Sequence, residues 1–163
     1  MPELTIRNAN ISEVSLLLTF IKELAVEEGF PFDVVVTEES LKENLFGEQP
    51  IAEAIFFFVD GAPAGFAVYY HTFSTTTGKK GLHLDDLYVR PQFQGGGIGK
   101  KALGYLASLA KGRNCGRFEW WALKWNENAI GFYESIGARH MEELSIFRLE
   151  EGDIQNLAEY SPL

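Results

Sequence analysis

An apolar strand that runs into a glycine-dense bend and then into an amphipathic helix is the feature that most constrains the fold of this chain. The strand covers residues 82–89, and the glycines of the bend are Gly95, Gly96, Gly97 and Gly99. Glycines let the main chain approach a ligand without obstruction by Cβ atoms, and the helix that follows points unpaired N–H groups and its positive dipole end at the same place. The bend is therefore predicted to bind a pyrophosphate.

Three glycine patterns can be compared with this bend. A mononucleotide P-loop needs Gly at position 94 and Ser or Thr at position 101, where the chain has Gln94 and Lys101. A dinucleotide fingerprint fits residues 97–102 with Glu119 as the ribose contact, but an insert separates the strand from the glycines and too little chain follows for a doubly wound domain. The pattern Gln-x-x-Gly-x-Gly fits at every position and resembles the acetyl-CoA loop of the GNAT N-acetyltransferases.

Length and composition favour a single domain that covers residues 1–163. The chain has 163 residues, of which 46% are apolar and 13% aromatic, enough for one substantial core. Cys115 is the single cysteine, so no internal disulfide forms. The longest apolar run, residues 54–59, is too short to cross a bilayer, and the first residues do not have the pattern of a secretory signal. We therefore expect a cytoplasmic protein with no membrane partner.

The charge of the chain argues against nucleic acid as a partner. A formal net charge of -9 lacks the basic footprint of nucleic-acid binding and attracts cationic partners. Five basic residues are nevertheless expected around the glycine bend and its helix as a local basic patch: Arg90, Lys100, Lys101, Lys111 and Arg113.

Hydrophobic periodicity and turn residues predict an α/β fold. Strands are predicted at residues 4–7, 53–60, 63–73, 82–89, 117–123 and 141–149. Helices are predicted from Asn10 to Gly29 and Pro31, from Thr37 to Leu45, from the bend to Gly112, and from Asn126 to Gly137. The order is strand, two helices, three strands, helix, strand, helix, strand. This order predicts a sandwich with a central mixed sheet and flanking helices.

Several short motifs resemble, in order and spacing, those of the spermidine/spermine (diamine) acetyltransferases within the GNAT superfamily. They are Ile-Lys-Glu-Leu-Ala at 21–25, Phe-Gly-Glu at 46–48, Tyr-Tyr at 69–70, Leu-Asp-Asp at 84–86, Trp-Asn-Glu at 125–127 and Phe-Tyr at 132–133, together with the glycine bend. The resemblance implies a mostly antiparallel sheet that splays at an acetyl-CoA site. It also implies a homodimer and direct acetyl transfer to the primary amine of a small diamine, polyamine or lysine-like substrate.

The resemblance also implies which residues contact acetyl-CoA. Pantetheine is expected along the strand backbone near residues 87–89, and the diphosphate at the bend. The implied cofactor-binding residues are Leu87, Tyr88, Val89, Gln94, Gly95, Gly96, Gly97, Ile98, Gly99, Lys100, Asn126, Ala129 and Tyr133. Asn126 is at the same time a plausible helix N-cap.

Amide formation requires a proton acceptor and a proton donor. A primary amine is mostly protonated at neutral pH because its pKa is roughly 10, and the departing thiolate leaves more easily when it takes a proton. The resemblance assigns the donor role to Tyr133, although a helical tyrosine also suits core packing. Asp85 stands where the relatives have a glutamate and is the inherited acceptor, one methylene shorter. His83 is a second hypothesis, because strict strand alternation puts it on the same face as Asp85 and an imidazole titrates near neutrality.

The remaining acidic residues are candidates for substrate contacts. Alternation puts Asp86 on the opposite face from Asp85, so the two are not expected to form a dyad on one face. The resemblance brings Glu27, Glu28 and the region of Glu142 and Glu143 to the substrate amines. The Ser-Thr-Thr-Thr segment at 74–77 departs from the relatives, which commonly have a tryptophan there.

Other chemistries find little support in the sequence. No His, Cys, Asp or Glu grouping has metal-ligand spacing, so no metal is expected. Cys115 has no neighbouring partner that would make it a nucleophile, so direct transfer without an acyl-enzyme is expected. The rival interpretations are a non-catalytic acyl-CoA-binding regulator and, more distantly, a dinucleotide-dependent oxidoreductase.

Overall fold

The computed structural model describes residues 1–29 and 34–163, and these divide into two compact units, Met1–Trp121 and Ala122–Leu163. The first unit contains β1 (Leu4–Asn8), α1 (Val14–Glu28), α2 (Glu38–Phe46), β2 (Glu53–Val59), β3 (Ala62–Ser74), β4 (Lys79–Val89), α3 (Ile98–Gly112) and β5 (Arg117–Trp120). The second contains α4 (Glu127–Ser135) and α5 (Glu151–Ala158). Pro31, predicted to help end the first helix, lies outside the described residues.

The first unit is built on a five-stranded mixed sheet in the order β1-β2-β3-β4-β5. The first four strands pair antiparallel with their neighbours, and β5 pairs parallel with β4. Asp60 and Gly61 join β2 to β3 with φ values of 48° and 80°, as a tight hairpin turn requires. The α/β class and the mixed, mostly antiparallel sheet are therefore as predicted.

The core on one side of the sheet is aromatic. Phe20 of α1 stacks on Phe66 at 5.8 Å between ring centroids and lies 5.9 Å from Phe56 and 6.2 Å from Tyr88. Burial of each such ring removes its apolar area from water and contributes roughly 1.5–3 kcal/mol. The helix α1 is thereby fixed over the middle of the sheet.

The opposite side of the sheet is covered by α3, which contacts β4 and β5. Ile98, Ala102, Leu106 and Ala110 are buried at intervals of four residues, as a helix with one inward face requires. The glycine bend at the N-terminus of α3 is therefore held at a defined height beside β4.

Helix ends in the first unit have the predicted chemistry. Asn10 and Glu13 form a reciprocal capping box before α1, and Gly29 ends that helix in the left-handed conformation at φ 67°. Thr37 caps α2 through a second reciprocal box with Ser40. These local signals are strong because each satisfies backbone groups that a helix end leaves unpaired.

The strand predicted at residues 141–149 is wrong. That segment has no strand, and its apolar side chains are exposed, with Phe147 at 93% and Leu144 at 63%. A strand needs a partner for its backbone groups, and the part of Ala122–Leu163 described by the structure contains no strand to pair with. The helix α5, which follows this segment, was not predicted.

Candidate active site

The glycine bend presents a row of backbone N–H groups. After β4 the chain makes a single 3-10 turn at Pro91–Phe93, Gly95 and Gly97 take φ values of 86° and 81°, and α3 starts at Ile98. The N–H groups of residues 95–100 donate no hydrogen bond to any group of the described chain. Gly95, Gly96 and Gly97 are also exposed. Such a set of free donors at the start of a 15-residue helix suits an anion.

The bend is anchored from α1. The Gln94 side-chain amide donates to the carbonyl of Val89 at 2.7 Å and to Glu27 Oε1 at 2.8 Å. Because both amide protons are used in this way, Gln94 holds the bend closed at its base. Through this hydrogen bond to Gln94, Glu27 is attached to the bend.

Two residues of the predicted basic patch are neutralised by carboxylates. Arg90 forms a two-pronged pair with Glu23, with nitrogen to oxygen distances of 3.0 and 2.9 Å, and Arg113 forms another with Glu53. Lys111 lies in the last turn of α3, roughly 15–20 Å along the helix axis from the bend. The prediction of a five-residue basic patch at the bend is therefore wrong, and Lys100 and Lys101 are the exposed cations at the start of α3.

Sequence reasoning missed Glu23. It lies one helical turn before Glu27 on α1, so the two carboxylates reach opposite ends of the 3-10 turn, at Arg90 and at Gln94. The spacing of four residues between two glutamates on the first helix was the available signal.

β4 and β5 separate beside the bend. Their parallel pairing runs from Gly81 and Arg117 to Leu84 and Trp120 and ends there, whereas β4 continues to Val89. Within the described residues, the edge of residues 85–89 that faces away from β3 has no strand bonded to it. This free edge can accept an extended ligand by backbone hydrogen bonds.

Among the predicted contacts on this edge, the Tyr88 side chain has a structural role. Its hydroxyl donates to Glu23 Oε1 at 3.3 Å, and its ring packs beside Phe20 and Phe66. Only the backbone of Tyr88 is available to a ligand at the edge. Leu87 and Val89 are half-buried.

A β-bulge interrupts β4 at Asp85. Val68 of β3 is opposite Asp86 and Tyr69 is opposite Leu84, so Asp85 has no opposite residue. Residues directly opposite each other point to the same side of a sheet, and Val68 packs with the core that lies under α1. Asp86 therefore points to the α1 side, as does Tyr88.

The bulge overturns the predicted alternation. Tyr69 of β3 interacts with Arg113 and Tyr105, so its side chain lies on the α3 side of the sheet. Tyr70, the next residue of β3, therefore faces away from α3. His83 is opposite Tyr70 and faces the same way. His83 consequently shares a side with Asp86. The prediction that Asp86 lies on the other face from His83 is wrong, because the extra residue shifts the alternation by one position.

Electrostatic interactions join Asp85, Asp86 and Glu28. Burial, together with the negative charges of Asp85 and Glu28, raises the pKa of Asp86 to about 7. Burial also raises the pKa of Glu28, and the charges of Glu27 and Asp85 add to the effect. The structure thus brings together four of the predicted acidic residues at the point where β4 and β5 separate.

His83 is enclosed by aromatic rings. It is 7% exposed, stacks on Tyr70 with 5.0 Å between ring centroids, and meets the edge of Trp121 at 5.1 Å. It lies in the middle of β4, which starts at Lys79, and its ring forms part of an apolar wall next to Asp85.

The remaining predicted residues belong to the second unit. Asn126 caps α4 by accepting from the Ala129 N–H at 3.2 Å, as predicted for the helix start. Tyr133 lies near the end of α4, with its ring 5.7 Å from that of Phe132. Glu143 pairs with Arg139 at 3.0 Å on the surface. A hydrogen bond from its own backbone N–H and the bond from Arg139 lower the pKa of Glu143.

Comparison with known proteins decides between the interpretations of the glycine bend. The family model of the acetyltransferase (GNAT) family matches residues 17–138. The chain belongs to the GNAT acetyltransferase family.

Individual relatives agree with this assignment. The chain is 32% identical to a thialysine N-epsilon-acetyltransferase of Sus scrofa, over 97% of this chain and 99% of the relative. It is 31% identical to a spermidine/spermine N(1)-acetyltransferase-like protein of Homo sapiens, over 94% of this chain and 23% of that protein. Among solved structures, an integron cassette protein of V. cholerae superposes with a TM-score of 0.78 at 28% identity, covering 96% of this chain and 98% of that one.

These findings confirm that the protein is a GNAT acetyltransferase similar to the diamine acetyltransferase branch. Membership of an enzyme family with acetyltransferase relatives removes the regulator interpretation. The oxidoreductase interpretation also fails on structural grounds, because β4 pairs antiparallel with β3 and a dinucleotide fold needs parallel neighbours there. No helix in residues 1–29 and 34–163 combines the length and apolar character needed to span a membrane.

Proposed function

We propose that this GNAT protein transfers the acetyl group of acetyl-CoA to a primary amine of a small diamine, polyamine or lysine-like molecule. The observation that carries the proposal is a continuous arrangement of three features: free N–H groups at the bend, a free strand edge beside it, and carboxylates where the strands separate. Each feature matches one part of the reaction, namely the diphosphate, the pantetheine arm and the cationic amine.

The binding of acetyl-CoA uses backbone groups in this proposal. The N–H groups of residues 95–100 bind the diphosphate, with Lys100 adding a positive charge, and the backbone of residues 87–89 pairs with the pantetheine amides. Asn126, Ala129 and Tyr133 of α4 are further contacts for the cofactor. Acetyl-CoA supplies an activated thioester carbonyl, and the free edge of β4 holds that carbonyl in line with the amine.

The amine is recognised by negative charge. Glu28, Asp85 and Asp86 form a cluster to which an ammonium group is attracted, and Glu27 adds to the negative potential beside the bend. Glu143 is a candidate for a second amine group of a longer substrate. The wall of Tyr70, His83 and Trp121 offers apolar surface and aromatic faces to the alkyl chain of a diamine.

The chemistry is a direct transfer. The amine gives a proton to a carboxylate of the Asp85–Asp86 bulge and attacks the carbonyl carbon, so the carbon–nitrogen bond forms and the carbon–sulfur bond breaks. Tyr133 donates its phenolic proton to the departing sulfur. The relatives named for thialysine and for spermidine/spermine support an amine acceptor of this kind. We also propose that the protein is cytoplasmic and that it forms a homodimer. Sedimentation equilibrium of the purified protein tests the dimer.

A panel of amines tests the proposed function. Release of free thiol from acetyl-CoA is measured with thialysine, spermidine, short diamines, amino alcohols and a lysine peptide, each over a range of concentrations. The proposal expects saturable release with at least one small diamine or lysine-like amine, and a fall of about tenfold or more in kcat for Tyr133→Phe. Thiol release no faster than in the absence of amine, for every acceptor, would refute it.

A further inference from the structure

The bulge in β4 places two adjacent aspartates in different environments. Asp85 is exposed, whereas Asp86, opposite Val68, is directed to the α1 side of the sheet and is half-buried. Bulges commonly re-aim a side chain next to an active site. Without the extra residue, Asp86 would point to the α3 side with Leu84.

Asp86 is surrounded by negative and neutral groups. Glu28 reaches it from α1 and Asp85 from β4 itself, and β3 contributes Tyr70, whose own pKa is raised by burial and by Asp85. His83 lies on the same side of β4. No Lys, Arg or backbone N–H of residues 1–29 and 34–163 bonds to the Asp86 carboxylate. Within the described chain, no positive group therefore pairs with its negative charge.

This environment suits proton transfer from an ammonium group. A carboxyl group at its ordinary pKa of about 3.9 is a poor acceptor for an amine whose pKa is roughly 10, and an acceptor that titrates near the working pH is a far better one. Burial among like charges raises the pKa of Asp86 to about 7. Burial distinguishes Asp86 from its exposed neighbour Asp85.

We propose that Asp86, and not Asp85, is the catalytic residue that takes the proton from the substrate ammonium, while Asp85 and Glu28 hold the ammonium by charge. The assignment rests on the proposed amine acetylation. In the step, the nitrogen–hydrogen electron pair stays on nitrogen and forms the bond to the acetyl carbon, and the proton goes to an oxygen of Asp86. The carbon–sulfur bond breaks, and the thiolate takes a proton from Tyr133.

The assignment predicts a specific pH profile. The ionised form of Asp86 is the active one, so kcat/KM of the free enzyme rises as pH increases through about 7. This rise is the acid limb of the pH profile. Asp85→Asn and Glu28→Gln each remove a negative charge that raises the pKa of Asp86, so the acid limb in those variants remains and moves to lower pH. Asp86→Asn removes the acceptor, so we expect kcat/KM to fall about a hundredfold or more and the acid limb to disappear.

The experiment measures kcat/KM against pH for the wild type, Asp86→Asn, Asp85→Asn, Glu28→Gln and His83→Gln, with the best amine of the panel. His83→Gln is the matched control, because an imidazole also titrates near neutrality and shares this side of β4. The proposal expects the acid limb to persist in His83→Gln. An acid limb that persists in Asp86→Asn but is lost in Asp85→Asn or in His83→Gln would assign the acceptor to that other residue and overturn it.

Two further measurements keep this result separate from the proposed function and from misfolding. Calorimetric titration with coenzyme A should give the same affinity for Asp86→Asn as for the wild type. A carbon-13 NMR titration of the aspartate carboxyls in the wild type should show one that titrates near pH 7, assigned to Asp86 by its absence from the spectrum of Asp86→Asn. Titration of every aspartate near pH 4 would overturn the assignment even if the enzyme acetylates amines, whereas an inactive wild type would refute the proposed function alone.

Discussion

At the scale of single residues, the environment that suits Asp86 to catalysis also makes the folded protein less stable at high pH. Its carboxylate is half-buried beside two other acidic groups, and burial is the main reason that its pKa rises from 3.8 to about 7. Between these pH values the folded chain holds a proton on Asp86 that the unfolded chain releases. The folded state is therefore favoured at low pH by this group, and the contribution is lost as the pH rises through about 7.

The first prediction concerns the stability of Asp86→Asn. The amide is similar in size and carries no charge, so the variant should be more stable than the wild type at pH 8 by on the order of 2–4 kcal/mol, and close to it at pH 4. Urea unfolding at the two pH values measures the difference. The exposed Asp85→Asn should gain less at pH 8, and an Asp86→Asn variant that is less stable than the wild type at pH 8 would contradict the account.

Some residue environments followed from the sequence and others did not. The caps at Asn10 and Thr37 and the turn at Asp60 and Gly61 were predictable because the groups that satisfy each other are three residues apart or fewer. The shared side of His83 and Asp86 was not, because it depends on the register with β3. One extra residue in β4 reverses the inference for all residues beyond it.

At the scale of elements, the connection from β4 to α3 joins the whole site. The strand supplies its free edge, the 3-10 turn is tied to α1 through Arg90 and Gln94, and the helix supplies free N–H groups. The glycine pattern and the strand-to-helix change predicted this connection from sequence. Its attachment to Glu23 and Glu27 depends on the long-range packing of α1 and was not predicted.

The second prediction concerns Gly97. Its φ of 81° is in the left-handed region, so Gly97→Ala should strain the bend by roughly 1–2 kcal/mol and weaken the binding of coenzyme A by about tenfold. Calorimetric titration measures the affinity. Gly104→Ala is the matched control, since Gly104 is exposed within α3 with free space for a Cβ, and should leave affinity unchanged while stabilising the helix by about 0.5–1 kcal/mol. Equal affinities for the wild type and Gly97→Ala would contradict the role of the bend.

The segment at 141–149 shows a limit of periodicity. Met141, Leu144, Ile146, Phe147 and Leu149 form a pattern of apolar residues that predicted a strand. A strand is defined by its partner as much as by its own residues, and a partner cannot be identified from local pattern. The helix α4, in contrast, needs only its own backbone and the Asn126 cap, and it was predicted correctly.

At the scale of the whole molecule, the net negative charge of the chain has the same sign as the acidic cluster at the proposed amine site. The net charge of -9 gives a negative potential around the protein, and the acidic cluster at the separation of β4 and β5 concentrates it at the proposed amine site. The single domain over residues 1–163 stays a prediction, because the structure is described as two units.

The third prediction concerns ionic strength. For a diamine carrying two charges, kcat/KM should fall steeply as salt increases from about 0.01 M to 0.5 M, since the screening length falls below 10 Å above about 0.1 M. A monoamine of the same chain length is the matched control and should show a clearly weaker dependence. Identical salt dependence for the two amines would mean that long-range attraction of cations does not contribute to substrate capture.

The binding of coenzyme A at the glycine bend is tested by titrating nitrogen-15-labelled protein with coenzyme A and following the backbone amide resonances. We expect the largest changes at the N–H groups of residues 95–100, which have no acceptor in the described chain, and along the edge at residues 87–89. Saturating coenzyme A that leaves the amides of residues 95–100 unmoved would contradict this expectation.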